Sequence, residues 1–208
     1  AWDTVLTQSA QKEPMQSHLW LSAWWRYFGD GRSLAVGLLR DGTRLVGIAP
    51  CCTRDFRYPG GLGFRRLELM GAAEGESDSI TSEYLGLIAA RGYEQAIASA
   101  FVDGVVGGAF GSWHECVLEM MNGESALAAM IKQDFARHGF AAERATALEA
   151  PYIALPEDWS SYLAGLRSKR RLVANAIRDF ETSSSKDGYT IRRATDRASF
   201  ERGFAILA

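Results

Sequence analysis

Glu83 and Tyr84 head an apolar stretch, Leu85 to Ala89, whose composition reads as a strand. A carboxylate there can take a proton from a substrate amine, and a phenol beside it can orient a ligand. The same pair also suits an exposed strand end with a tyrosine at the sheet rim. Glu115 and Glu119 share one face if Trp113 to Met121 is a strand, and they form either an acid–base pair or a solvent face. Arg167, Arg171, Asn175 and Arg178 follow one another at steps of four, four and three, so they project from one side of a helix. Lys169 widens that patch. Arg170 falls instead in the apolar stripe, where a guanidinium must meet a carboxylate, carbonyl groups or a ligand phosphate. The group is either a binding surface for an anionic donor or acceptor, or a set of ion pairs with acidic residues elsewhere in the chain.

The charge distribution supports either reading. From Arg167 to Arg202 there are ten Lys/Arg against five Asp/Glu, although the whole chain carries only −2. Positive charge confined to one segment argues against nucleic acid as the partner. Cys51, Cys52 and Cys116 are an odd set with two adjacent members, a poor disulfide framework, and are expected to be reduced and buried. No His/Cys spacing suggests zinc, so no metal is expected. His18, His114 and His138 are scattered, and no nucleophilic Cys or Ser motif points to a covalent intermediate.

These residues need a scaffold, and the periodicities supply one. A helix is expected from Ser17 to Phe28, then a hairpin of Ser33 to Arg40 and Arg44 to Ala49 about Asp41-Gly42, with Pro50 either ending the regular pairing or sitting at a strand end. Thr53 to Gly63 reads as a loop, Arg65 to Met70 as a strand and Gly71 to Ser82 as a loop. Beyond the Tyr84 strand come a helix from Tyr93 to about Val106, the Trp113 strand, a helix from Glu124 to His138 and two short strands within Phe140 to Leu155. Pro156 opens a long helix, with Glu157 and Asp158 in its first turn and Trp159, Leu163, Leu166, Val173, Ile177 and Phe180 along its apolar stripe. That helix frays at Thr182 to Ser185. Tyr189 to Arg193 reads as a strand and Ser199 onward as a helix. The fold class is α/β, or α+β with a mixed sheet.

Several segments together resemble the CelD/BcsL-type acetyltransferases of the GNAT superfamily. They are Trp20-Leu21-Ser22-Ala23-Trp24-Trp25, Leu45-Val46-Gly47-Ile48-Ala49-Pro50, Leu67-Glu68-Leu69-Met70-Gly71, Thr81-Ser82-Glu83-Tyr84-Leu85-Gly86-Leu87 and Leu155-Pro156-Glu157-Asp158-Trp159 with Ser168-Lys169-Arg170-Arg171. The resemblance covers nearly the whole chain. It implies a GNAT-like fold in a tandem, FemABX-related architecture: 1–155 a first domain, 156–188 a bridging basic helix and linker, and 189–208 the start of a second, truncated domain. It further implies transfer of an acetyl or other acyl group from acyl-CoA to an amine or hydroxyl acceptor, small-molecule or glycan-related, in exopolysaccharide or cell-envelope metabolism in the cytoplasm. No transmembrane segment is expected.

In GNAT enzymes the CoA pyrophosphate lies on a turn that reads Gln or Arg, two variable residues, Gly, one variable residue, then Gly or Ala. The corresponding turn here is Ala89-Ala90-Arg91-Gly92-Tyr93-Glu94, which has one glycine and an acid where a phosphate would lie. The resemblance therefore implies that acyl-CoA is bound mainly by the missing second half. The competing expectation is a non-catalytic, degenerate GNAT module that binds an anionic acceptor through the basic helix.

Overall fold

Gly42 and Thr43, between two β-rich runs, close the hairpin from which a sheet grows; Asp41 pairs with Arg44, so the turn falls one residue after the expected Asp41-Gly42. The computed structural model describes residues 1–72, 80, 82–143, 151–166, 169–187 and 192–206, with backbone alone for residue 170 and residues 184–187. Two compact units divide the chain, Ala1–Ala147 and Leu148–Ala208.

In the first unit β1 (Arg32–Asp41) pairs antiparallel with β2 (Arg44–Arg57), placing Leu34 opposite Cys52, Val36 opposite Pro50 and Leu38 opposite Ile48. Pro50 therefore does not end the pairing, and Thr53 to Arg57, expected as loop, continues β2. The turn after it is closed by the Tyr58 amide donating to the Leu62 carbonyl at 3.0 Å. β3 (Gly63–Leu69) then returns antiparallel along β2, with Cys51 opposite Leu69. The Met70 amide donates to the Pro50 carbonyl at 2.8 Å. In a strand, N–H and C=O of one residue point the same way, so the donor that Pro50 lacks would have faced β3 where β3 ends. A central proline is tolerated at that one place.

β4 (Ile88–Ala89) resumes the same edge of β2, with Ile88 opposite Ile48. The strand expected from Tyr84 is thus reduced to two residues plus isolated bridges at Leu85 and Ala90. β5 (Glu115–Val117) runs parallel to β3, and Leu85 bridges Met121 in the same sense. The Tyr84 and Trp113 segments so belong to one mixed five-stranded sheet, ordered β1-β2-β3-β5 with β4 on β2.

Because side chains alternate, each face of the sheet meets a different pair of helices. On one face, Val5 and Leu6 of α1 (Trp2–Gln8) pack with Val46, Ile48 and Ile88, while Leu21 and Trp24 of α2 (His18–Phe28) pack with Cys52 and Met70. On the other, α3 (Glu94–Val106) and α4 (Ala126–Arg137) set Ile97, Phe101, Ile131 and Phe135 against Cys51, Leu67 and Leu69. Burying a side chain such as Phe101 contributes about 3 kcal/mol. Ser17 and Ser125 cap α2 and α4 by accepting from Trp20 N at 3.3 Å and Ala128 N at 3.2 Å.

The second unit holds α5 (Trp159–Gly165), α6 (Arg170–Asp187) and α7 (Arg197–Phe204). The single long helix expected from Pro156 is thus two helices. Asp158 is the N-cap of α5 rather than a first-turn residue, accepting from Ser161 N at 2.9 Å. Gly165 weakens the end of α5. The Thr182 to Ser185 stretch, expected to fray, is helical. Among the described residues of 140–155 there is no strand, and none at Arg192 or Arg193. Tyr189 to Ile191 lie outside the described residues.

Candidate anion-binding site

The end of β4 is tied to α1. Ala90 N donates to Val46 O at 2.9 Å and Arg91 N to Gln8 O at 3.1 Å. This brings the Arg91 segment beside Arg44, the first residue of β2, whose Nη2 donates to Gln8 Oε1 at 2.9 Å. The result is a shallow concavity of about 410 Å³ lined by Thr7, Gln8, Lys12, Arg44, Ala90 and Arg91. Three exposed cations converge with a hydroxyl and an amide, and its lining holds no carboxylate. Such a set attracts an oxyanion such as a phosphate or carboxylate.

The neighbouring turn behaves differently. Gly92 takes φ +85°, and its amide donates to Glu94 Oε2 at 2.8 Å. The amide that could have met a pyrophosphate is thus engaged by a carboxylate of the same chain. Tyr93 OH donates to Asp41 Oδ2 at 2.6 Å, and this bond raises the phenol above its ordinary pKa.

The acid–base candidates are dispersed. Glu83 is exposed, and its amide meets Met15 Sδ at 3.0 Å. Tyr84 is 39% exposed, and its carbonyl accepts from Gln16 Nε2 at 2.9 Å. They lie on a loop before β4, not at a strand head. Tyr84 takes φ +53°, and Met120, whose carbonyl accepts from Leu85 N at 2.9 Å, takes φ +59°.

Glu115 and Glu119 do not share a strand face, because β5 ends at Val117. Glu115 instead belongs to a packed charge cluster. Arg66 Nε donates to its Oε1 at 2.7 Å and Tyr58 OH to its Oε2 at 3.0 Å, while the Arg66 guanidinium lies 3.7 Å from the Phe56 ring centre. Arg54 lies 2.8 Å from Glu68, a carboxylate only 1% exposed. Burial raises Glu68 above the ordinary carboxylate pKa against the pull of Arg54, Arg66 and Arg32.

The histidines are exposed and lie apart, each with its own neighbour. His114 Nδ1 accepts from Arg65 N at 2.8 Å, His138 Nε2 lies 2.9 Å from Asp103, and His18 packs edge-on against Trp2. Burial pushes Cys52 and Cys116 up to about 12 and Cys51 well above its ordinary value.

Lys169, just before α6, and Arg171, Asn175 and Arg178 on it are exposed, and Arg178 donates to Asn175 Oδ1. That pair confirms the shared side expected from their spacing. Arg167 and the Arg170 side chain lie outside the described residues. Along the apolar stripe of α6, Val173 and Ile177 are half-buried and Phe180 is 57% exposed.

Sequence spacing missed Lys12 and Arg44. The usable signal was Arg44 directly after the hairpin turn, which fixes it at the sheet end where Arg91 also arrives.

The architecture defines a mixed α/β domain with helices on both faces and a polar, cationic concavity at one sheet end. No protein-family model, curated protein or solved structure matches this chain. Among the described residues no helix is long and apolar enough to cross a membrane.

Proposed function

We propose that this chain is a domain of an acyl-CoA-dependent, GNAT-type acyltransferase of the cytoplasm and that it recognises an anionic ligand without itself holding the acyl donor. Transfer from acetyl-CoA or another acyl-CoA to an amine or hydroxyl acceptor then belongs to a second domain. The order of hairpin, strands, α3, parallel β5 and α4 supports the class. The observation that carries the division of labour is Glu94 Oε2 on Gly92 N, which fills the place of a donor phosphate. Lys12, Arg44 and Arg91 supply the anion site instead, with the exposed cations Lys169, before α6, and Arg171 and Arg178, on it, as a further basic surface for an exopolysaccharide- or envelope-related acceptor.

The test is a thermal-shift titration of this chain with acetyl-CoA and, separately, with inorganic pyrophosphate. A ligand at 100 times its dissociation constant adds about 2.7 kcal/mol. Pyrophosphate should stabilise the wild type and lose its effect in Arg44→Ala/Arg91→Ala. Stabilisation by acetyl-CoA that survives those changes would mean that the donor binds here by another route, and the reading fails.

A second reading, catalysis on this chain, has one observation in its favour. Tyr84 and Met120 are both left-handed and flank the Leu85–Met121 bridge, and such backbone strain concentrates at functional sites. In that reading Glu83 accepts the amine proton and Tyr84 orients the acceptor. Acceptor-dependent release of CoA thiol by this chain, abolished by Glu83→Gln, would favour it.

A further inference from the structure

The sheet ends on one side in β1, a ten-residue strand that pairs only with β2. Its free edge can be read from Pro50. Because the Pro50 carbonyl is turned toward Met70, Val36 opposite Pro50 turns its own N–H and C=O away from β2. Alternation extends this to Leu34 and Leu38. The same three residues carry exposed apolar side chains, Leu34 at 56%, Val36 at 37% and Leu38 at 54%. Among the described residues nothing bonds to their backbone groups. Natural edge strands are blunted by proline, charge, bulges or short length; β1 is ten residues long, and its charges and its one register shift, between Leu39 and Arg40, lie outside the stretch from Leu34 to Leu38.

The stripe Leu34-x-Val36-x-Leu38 is also a palindrome. A two-fold axis normal to the sheet at Val36 sets Leu34 against Leu38 of a second copy and Val36 against itself. Both members of each pair face the open side, so their backbone bonds are reciprocal. On the other face Ala35 would meet Gly37, two small residues. Gly37 already lies so close under Phe110 that a Cβ would come 2.8 Å from its Cζ, and neither adds bulk to the junction. The one unfavourable pairing is Arg32 with Arg40. The Arg32 guanidinium, however, is turned back into its own chain, donating to Phe28 O and lying 5.3 Å from the Trp24 ring centre. Asp30, in the turn before β1, brings a carboxylate to the end where Arg40 of the second copy arrives.

We infer that β1 is a homodimer interface, in which two copies of this chain join antiparallel through Leu34, Val36 and Leu38 into one continuous sheet. The arrangement closes on itself, leaving among the described strands the three-residue β5 and the two-residue β4 as short open edges in each copy. A second copy fits better than a foreign strand because both the side-chain order and the backbone pattern are self-complementary.

The test is light scattering after gel filtration of the 208-residue chain over a wide concentration range, with Val36→Lys, Val36→Asp and their equimolar mixture. The wild type should show concentration-dependent dimer. Each single variant sets like charges together on the axis and should associate roughly tenfold more weakly or less, with unchanged circular dichroism. Mixing the two should restore dimer as a Lys–Asp heterodimer. A wild type that stays monomeric, including one that takes up only a foreign peptide strand, overturns the inference. So does a dimer that persists in both variants, or a mixture that does not recover.

Discussion

Met70 donates its amide to the Pro50 carbonyl at 2.8 Å, and Pro50 has no N–H with which to answer. That one-sided bond divides the row of strands beside β2. β3 ends there, the chain leaves the sheet, and β4 takes up the same edge only at Ile88. The excursion carries Glu83 and Tyr84, so one proline decides that these residues lie on a loop rather than within a strand.

The departure also depends on Gly71, which follows Met70 at φ +91°. A Cβ there would come 3.0 Å from Leu85 Cδ2 and 3.2 Å from Leu21 Cδ2. Left-handed backbone and crowding act together in Gly71→Ala, which should lose about 2–4 kcal/mol in urea unfolding. A loss below about 0.5 kcal/mol, the usual surface value, would mean that the chain leaves the sheet differently.

Glu68 faces Arg54 and Arg66 from beneath α2's end of the sheet, 2.8 Å from Arg54 Nε and 3.6 Å from Arg66 Nη1. Removing one member of such a group strands the others, so Glu68→Gln should destabilise by about 3 kcal/mol, while Arg54→Met with Glu68→Leu should recover most of the loss. The pH dependence has a definite sign. Burial raises the Glu68 pKa above 4.5, so the folded chain holds this proton more tightly than the unfolded chain. The group's contribution to stability therefore falls as pH rises from 4.5 through the folded value, and is constant above it. Unfolding free energies across that window should decline less steeply in Glu68→Gln than in the wild type.

How far the sequence foretold this arrangement depends on the range of the interactions. The hairpin, α2 with its Gly29 stop, and the Ala-rich α3 are local patterns, and all three were legible, although the hairpin turns at Gly42-Thr43, one residue later than expected. β2 beyond Pro50 was not, because Thr53 to Arg57 carry charges whose partners, Glu68 for Arg54 and Arg65 for Asp55, come from β3. The split between α5 and α6 was hidden by an apolar stripe that ran through it in phase. At the candidate site the closeness of Glu94 to Gly92 was legible, and Glu94 does take the Gly92 amide. Lys12 and Arg44 reach the site only through α1 and the hairpin, contacts that no spacing rule encodes.

The three thiols should be inert in the folded protein. Cys51 and Cys52 are fully buried, and Cys52 and Cys116 are pushed up to about 12 by burial, so the thiolate is scarce at any ordinary pH. Ellman's reagent at pH 8 should label none of them rapidly without denaturant and all of them with it. Cys116, the least buried, should lead and Cys51 should trail. Fast labelling of Cys51 first would contradict the packing of the sheet against α3 and α4.

The cationic concavity and the turn beside it should respond oppositely to mutation. Lys12, Arg44 and Arg91 are exposed, so each contributes a screened attraction rather than a buried contact, and pyrophosphate affinity should fall steeply with added salt. Arg44→Ala should weaken it by roughly 3- to 10-fold, an effect within the range of charge-assisted bonds, and should flatten the salt dependence. Glu94→Ala removes the carboxylate from Gly92 N and a negative charge from the first turn of α3, so affinity should rise. Calorimetric titration at two salt concentrations measures both. Were Glu94→Ala to weaken pyrophosphate binding, Glu94 would be holding the turn in its binding shape instead of occupying the ligand's place, and the closed-turn account of this domain would be wrong.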